Sequence, residues 1–193
     1  MKIALIDYGA GNVQSVLFAL ERLGYQATVT DDPDTIKKAD KVIFPGVGEA
    51  SSSMQMIYNK KLDTTIPALT QPVLGICLGM QLLCSSSEEG NAKGLGIFDI
   101  QIKRFSNQLK VPQMGWNTIA NLKTELFKGI KEEEYMYLVH SYYAPVNAYC
   151  IATTNYGINY ATAIQKDNFY GVQFHPEKSG KAGEQILFNF LTI

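Results

Sequence analysis

Charge of either sign is scarce in this sequence. Only 18 % of its residues are charged, and the formal net charge is −1. No basic run stands out, which argues against nucleic-acid binding driven by phosphate neutralisation. No apolar run approaches the ~20 residues of a bilayer-spanning helix. Neither nucleic acid nor a membrane is therefore expected as a partner. The segment Met1–Asp7 turns polar too quickly to read as a signal peptide. Cysteine is limited to Cys77, Cys84 and Cys150. That odd, scattered set excludes a disulfide framework and a clustered metal site. No metal or cofactor is expected, and a reducing, cytoplasmic setting fits. Histidine is rarer still, with only His140 and His175.

What is present is a chain of 193 residues, 46 % of them apolar. That is enough for one sizeable core and too few for two comfortable domains, so residues 1–193 are read as a single domain. The first half alternates strand and helix signals. Ile3–Ile6 is strand-like. Asn12 can cap a helix carried by Val13, Val16, Leu17 and Leu20, and Gly24 stops it. Ala27–Thr30 is a second strand, Asp32-Pro33 opens a short helix to Ala39, and Lys41–Phe44 is a third strand. Ser53–Tyr58 and Leu62–Leu69 read as helical. This order predicts a doubly wound α/β sheet, mixed but mainly parallel, with flanking helices. The second half predicts additional antiparallel strands at Ile97–Phe105, Trp116–Ile119, Tyr135–Tyr142, Ile151–Tyr156, Tyr160–Gln165 and Tyr170–Phe174. A helix over about Lys181–Leu191 closes the chain. No internal repeat or linker interrupts it.

The most informative segment is Gly75-Ile76-Cys77-Leu78-Gly79. An apolar run enters it and the helix-like Met80-Gln81-Leu82-Leu83 leaves it. A strand turning sharply into a helix lifts its central residue out of the packed layer, and flanking glycines relieve the crowding. This is a nucleophile elbow with cysteine in the place of serine. A sulfur at a helix start meets unpaired N–H groups that favour thiolate and can receive an oxyanion. Cys84 and Cys150 have no such setting and read as structural. A cysteine nucleophile needs a base, and the base needs a group to orient it. His175-Pro176-Glu177, directly after a strand, supplies both, and the proline restricts how His175 and Glu177 project. Cys77, His175 and Glu177 form the candidate catalytic set. Pro45-Gly46-Val47-Gly48 follows the third strand, and in a parallel sheet it belongs on the same carboxyl edge as the elbow. Backbone N–H groups of Gly46, Val47 and Leu78 are the candidate oxyanion donors.

Together the elbow, the Pro45–Gly48 loop and the His-Pro-Glu turn resemble the class I glutamine amidotransferases. The resemblance spans essentially the whole chain. It narrows through Asp7-Tyr8-Gly9-Ala10-Gly11-Asn12, Pro112-Gln113-Met114-Gly115-Trp116-Asn117 and His140-Ser141-Tyr142 to the glutaminase subunits of imidazole glycerol phosphate synthases. It implies hydrolysis of L-glutamine through a Cys77 thioester. The ammonia would pass to a (β/α)₈-barrel cyclase subunit in a heterodimer, which makes imidazole glycerol phosphate and an aminoimidazole carboxamide ribotide. The resemblance makes Gln81, Ser141 and Tyr142 glutamine contacts; read alone, each passes as an ordinary surface or strand-edge residue. It also puts Asn12, Trp116, Tyr137 and Lys178 towards the partner. Trp116, the only tryptophan, is either an interface anchor or a core residue, and Lys178 either a partner contact or a solvated charge.

Other readings are weaker. Gly9-Ala10-Gly11 begins a dinucleotide fingerprint, but Gln14 stands where glycine is needed. An amidotransferase feeding anthranilate synthesis is disfavoured by Met114-Gly115-Trp116-Asn117. A non-catalytic binding relative is disfavoured by the intact Cys77, His175 and Glu177.

Overall fold

A computed structural model describes residues 1–193. The first four strands are β1 (Ile3–Ile6), β2 (Ala27–Thr30), β3 (Lys41–Gly46) and β4 (Val73–Cys77). Between them lie α1 (Val13–Arg22), α2 (Pro33–Lys37), α3 (Ala50–Asn59) and α4 (Leu62–Thr65). Every residue of β1, β3 and β4 is buried, as expected for parallel strands covered on both faces. On β1, Ile3 and Leu5 face the core with Val16 and Leu20 of α1, while Ala4 and Ile6 face the opposite core with Ile36, Met54 and Ile57. This alternation follows from the two-residue period of a strand.

The chain continues through α5 (Leu78–Leu82), β5 (Cys84–Ser87), β6 (Ala92–Lys93), β7 (Phe98–Arg104), β8 (Gln113–Ile119) and β9 (Glu134–His140). It ends with β10 (Tyr142–Pro145), β11 (Cys150–Asn155), β12 (Asn159–Lys166), β13 (Phe169–Val172) and α6 (Gly180–Thr192). The main sheet runs β2-β1-β3-β4-β13-β12-β10-β7-β5-β6, with β11 on β12. The run from β2 to β13 is parallel. From β13 outward the pairings to β12, β10 and β7 are antiparallel. β8 and β9 form a separate two-stranded sheet. No helix is long and apolar enough to cross a membrane.

The observed α/β architecture matches the expectation in kind. Three local differences have physical causes. First, the helix after the elbow stops at Leu82 and the chain re-enters the sheet as β5, which carries no strong strand pattern in Cys84-Ser85-Ser86-Ser87. Second, Tyr135–Tyr142 is not one strand. It breaks at Ser141, so that β9 pairs with β8 while β10 joins the main sheet; the apolar residues continue through the break and hide it. Third, Asn12 makes no side-chain cap on α1, whereas Asp32 accepts from the Thr35 N–H and caps α2.

Strand order places the chemistry. β3 and β4 are neighbours, with Gly46 opposite Cys77, and β13 flanks β4 on the other side, with Val172 opposite Ile76. Three carboxyl ends therefore converge: the Pro45–Gly48 loop, the elbow, and the chain that leads into His175.

Candidate active site

Cys77 sits between β4 and α5 with φ 54 and ψ −109. A non-glycine residue holds such angles only where its surroundings enforce them. Here the enforcement is close packing. A Cβ on Gly79 would lie 1.9 Å from the Phe44 carbonyl oxygen, and one on Gly46 would lie 2.7 Å from the Gly79 nitrogen. The elbow helix and the loop after β3 thus press backbone to backbone, and only glycine admits that approach. Because α5 is only five residues long, its summed dipole is small. The local N–H groups at Leu78 and beyond are what it offers an anion.

The loop leaves into α3 through a firm cap. Glu49 accepts from the backbone N–H of Ser51 (3.1 Å) and Ser52 (2.8 Å) and from the Ser51 hydroxyl. These bonds, led by the Ser52 N–H, hold its carboxyl down at about 2. The Glu89 carboxylate adds a bond from the Ala50 N–H at 2.9 Å. Glu49→Ala is expected to cost about 1 kcal/mol, lowering the melting temperature by roughly 2–4 °C for a chain of this size. Thermal unfolding followed by circular dichroism checks this; an unchanged midpoint would remove the cap from the account.

The two histidines have opposite characters. His140 Nδ1 lies 2.7 Å from the Tyr142 carbonyl, which can only accept, so Nδ1 carries the proton. Nε2 lies 3.2 Å from the Tyr160 hydroxyl, which donates its proton to Gln113 Oε1 at 3.0 Å. Burial pushes His140 down to about 4, against the pull of the Tyr142 carbonyl. Burial thus keeps it a neutral ring.

His175 is different. Its Nδ1 is 2.8 Å from Glu177 Oε1, with both side chains almost wholly buried. Burial alone would push His175 down, but the Cys77 sulfur and the Glu177 carboxylate outweigh it and push it up to about 10. Both partners thus favour the protonated form of the ring. Its Nε2 is buried and has no hydrogen-bond partner, the position a proton shuttle requires. The turn bearing it is pinned from several sides. The His175 N–H donates to the Tyr137 carbonyl, the Ser179 hydroxyl donates to the His175 carbonyl, and the Tyr137 N–H donates to Ser179 Oγ.

A cavity of about 260 Å³ gathers these groups. Its walls include Val47, Gly48, Cys77, Leu78, Gln81 and His175. Ser141 and Tyr142 line it too, as do Glu89 and His140. Gly46 lies just beneath, against the elbow and the Tyr8 hydroxyl. Of the residues placed towards a partner, Trp116 is 56 % exposed, so it is not a core tryptophan. It stands edge-on to Tyr137, its cross-strand neighbour, with ring centroids 6.0 Å apart. Lys178 is exposed on the turn that packs on α1, the helix Asn12 precedes.

The glutamine amidotransferase class-I family model matches residues 4–193. The chain belongs to the class-I glutamine amidotransferases. Among its curated relatives is imidazole glycerol phosphate synthase subunit HisH of Bacteroides fragilis, 56 % identical over 196 residues and 100 % of both chains. The subunit of the same name from Bacteroides thetaiotaomicron is 53 % identical, again over 100 % of both chains. That of Haemophilus influenzae is 49 % identical over 99 % of this chain and 97 % of its own. Among solved structures, a glutamine amidotransferase superposes with a TM-score of 0.77 at 15 % identity, covering 98 % of this chain and 97 % of its own. PurLQS from Thermotoga maritima gives 0.73 at 15 % identity, covering 99 % and 97 %. At such identities these structures speak for the fold alone.

One pocket residue of this amidotransferase, Glu89, and one buried residue behind the pocket, Gln173, are not legible in its sequence. Glu89 sits in a Ser-Glu-Gly stretch without periodicity, and the short turn Glu89–Asn91 that follows β5 carries it to the cavity wall. Gln173 stands one residue short of the His-Pro-Glu turn and reads as strand filler, yet its side chain reaches Cys77 Sγ.

Proposed function

We propose that this amidotransferase is the glutaminase subunit of an imidazole glycerol phosphate synthase, working in the cytoplasm as one domain over residues 1–193. The observation that carries the reaction is His175, held 2.8 Å from Glu177 with its Nε2 unpartnered, lining one cavity with a cysteine on a strained elbow. Identity to the HisH relatives along the whole chain supports the choice of acceptor.

Glutamine enters the cavity with its side-chain amide at Cys77. The half-buried Glu89 carboxylate complements its α-ammonium group, and Gln81, Ser141 and Tyr142 complement its polar atoms. The sulfur attacks the amide carbon and the carbonyl oxygen becomes an oxyanion. N–H groups of Leu78 and of Gly46 or Val47 receive it. The tetrahedral adduct collapses as the C–N bond breaks and His175 gives its Nε2 proton to the departing nitrogen, releasing ammonia. The neutral ring then takes a proton from water, whose oxygen attacks the thioester carbon. The C–S bond breaks, leaving glutamate and the thiolate, and Glu177 steadies the imidazolium again.

The ammonia passes to a cyclase subunit bound on the face that carries Trp116, Tyr137, Lys178 and Asn12. Trp116 suits such a face because tryptophan is enriched at binding hot spots. Alone, the chain is expected to hydrolyse glutamine slowly. Adding the cyclase with its nucleotide ligand should raise glutamate release by on the order of 100- to 1000-fold, the worth of one oxyanion donor. Isolation of the native complex provides the second arm: recovery of an anthranilate-type synthase in place of a barrel cyclase overturns the assignment.

A further inference from the structure

Gln173 lies in the short segment between β13 and the His-Pro-Glu turn, and no part of it is exposed. Its Oε1 lies 2.9 Å from Gln81 Nε2, and its Nε2 lies 3.7 Å from Cys77 Sγ. The orientation of both amides follows from one fixed point. Gln81 Nε2 is 3.0 Å from the Tyr142 carbonyl, which can only accept. The nitrogen end of Gln81 must therefore face Tyr142, and its second proton goes to Gln173. Gln173 must accept there with Oε1, so its own Nε2 faces the sulfur. Reversing either amide would set two acceptors or two donors against each other in a buried place. The Gln173 backbone is fixed as well, its N–H donating to the Thr162 carbonyl at 2.8 Å.

The sulfur therefore has two different neighbours. The Val139 carbonyl, 3.8 Å away, can accept from the thiol S–H. The Gln173 amide can only donate, and a thiolate is the better acceptor of the two sulfur forms. In the proposed reaction the sulfur must become an anion, attack, and be released as an anion again.

We propose that Gln173 holds the Cys77 sulfur in its anionic, attacking position, and that the Tyr142–Gln81–Gln173 chain links the wall of the glutamine pocket to the nucleophile. The proposal rests on Cys77 being the nucleophile of the reaction above. Gln173 stands against the sulfur and His175 lines the same cavity as Cys77, the two coming from one short segment after β13. His175 manages the proton, and Gln173 supplies a donor that does not titrate.

The test uses the full chain with its cyclase partner, as wild type, Gln173→Glu and Gln173→Leu. Gln173→Glu keeps an acceptor for Gln81 but replaces the N–H facing the sulfur by oxygen; Gln173→Leu removes both contacts. Iodoacetamide alkylation of Cys77 is followed against pH by peptide mass. In both variants the alkylation profile is expected to move to higher pH by about one unit, a tenfold change in ionisation. The kcat for glutamate release is expected to fall on the order of 10- to 100-fold, the worth of a hydrogen bond to a charged acceptor. KM should rise in Gln173→Leu, which frees Gln81, and stay near the wild-type value in Gln173→Glu. An unmoved alkylation profile in a folded variant overturns the proposal, whatever happens to kcat. A measurement on the wild type keeps it falsifiable if the variants do not fold. In ¹⁵N-labelled protein the Gln173 side-chain amide signals must shift when Cys77 is alkylated, and signals that stay put overturn it. A wild-type complex that releases no glutamate from glutamine would instead overturn the catalytic reading.

Discussion

Cys77→Ala is expected to abolish glutamine hydrolysis, by at least about 10⁴-fold, while the complex with the cyclase still makes product from added ammonia. The size follows from the chemistry: without the sulfur no thioester forms, and removal of a nucleophile from a catalytic triad costs on the order of 10⁶-fold. The other cysteines offer no substitute. Cys84 is completely buried, with its thiol pushed up by burial and its S–H directed to the Met80 carbonyl. Cys150 is buried too, with burial again pushing it up. The ammonia arm separates lost chemistry from lost structure. Alanine removes one sulfur from a site whose angles are enforced by Gly79, Gly46 and Phe44, so the docking face should survive. Glutamate release and ammonia-dependent turnover, measured on the same preparation, decide the matter. Loss of both in a complex that still assembles would remove Cys77 from the role assigned to it.

The second large effect falls on stability. Gly79→Ala would put a methyl group 1.9 Å from the Phe44 carbonyl oxygen, an atom of β3 backbone in the middle of the parallel sheet. No rotamer relieves that contact, because a Cβ has none. Either α5 lifts away from β3 or β3 bends, and both open a buried layer. A cost on the order of 3 kcal/mol or more is expected, which lowers the melting temperature by roughly 6–12 °C in a protein of this size. Activity should fall further than stability alone requires, since lifting α5 moves the Leu78 N–H away from the loop it faces. Thermal unfolding and glutamate release at a temperature well below the midpoint check both parts. A variant as stable as the wild type would show that elbow and loop do not press together as described.

These expectations divide along the same line as the sequence and the structure. The elbow glycines, the cysteine between them, and a histidine and glutamate set two residues apart by proline are short-range features. Turn chemistry and strand alternation act within a few residues, so they can be read in order along the chain. The same holds for β1, β3 and β4, whose apolar runs, broken only by Lys41 at the start of β3, reflect burial on both faces. Ser141 was legible as a residue but not as the break between β9 and β10. Apolar residues continue across it, and only pairing with two different sheets separates the strands. The character of His140 was not legible either. Its neutrality comes from burial, helped by His175, thirty-five residues away in the chain.

The sequence by itself determined the α/β class and the order of strands and helices in the first half, and it named Cys77, His175 and Glu177 as the candidate set. Each of these depends on local conformational preference or on a periodic apolar pattern. Tertiary structure alone decided which histidine is charged, which carboxylate reaches the pocket, and what stands against the sulfur. Those outcomes depend on desolvation and on contacts between residues far apart in the chain, such as Gln81 with Gln173 and Gln173 with Cys77. A residue's neighbours in sequence carry no record of its neighbours in the core, where the cost of an unpaired polar group sets the direction of every amide.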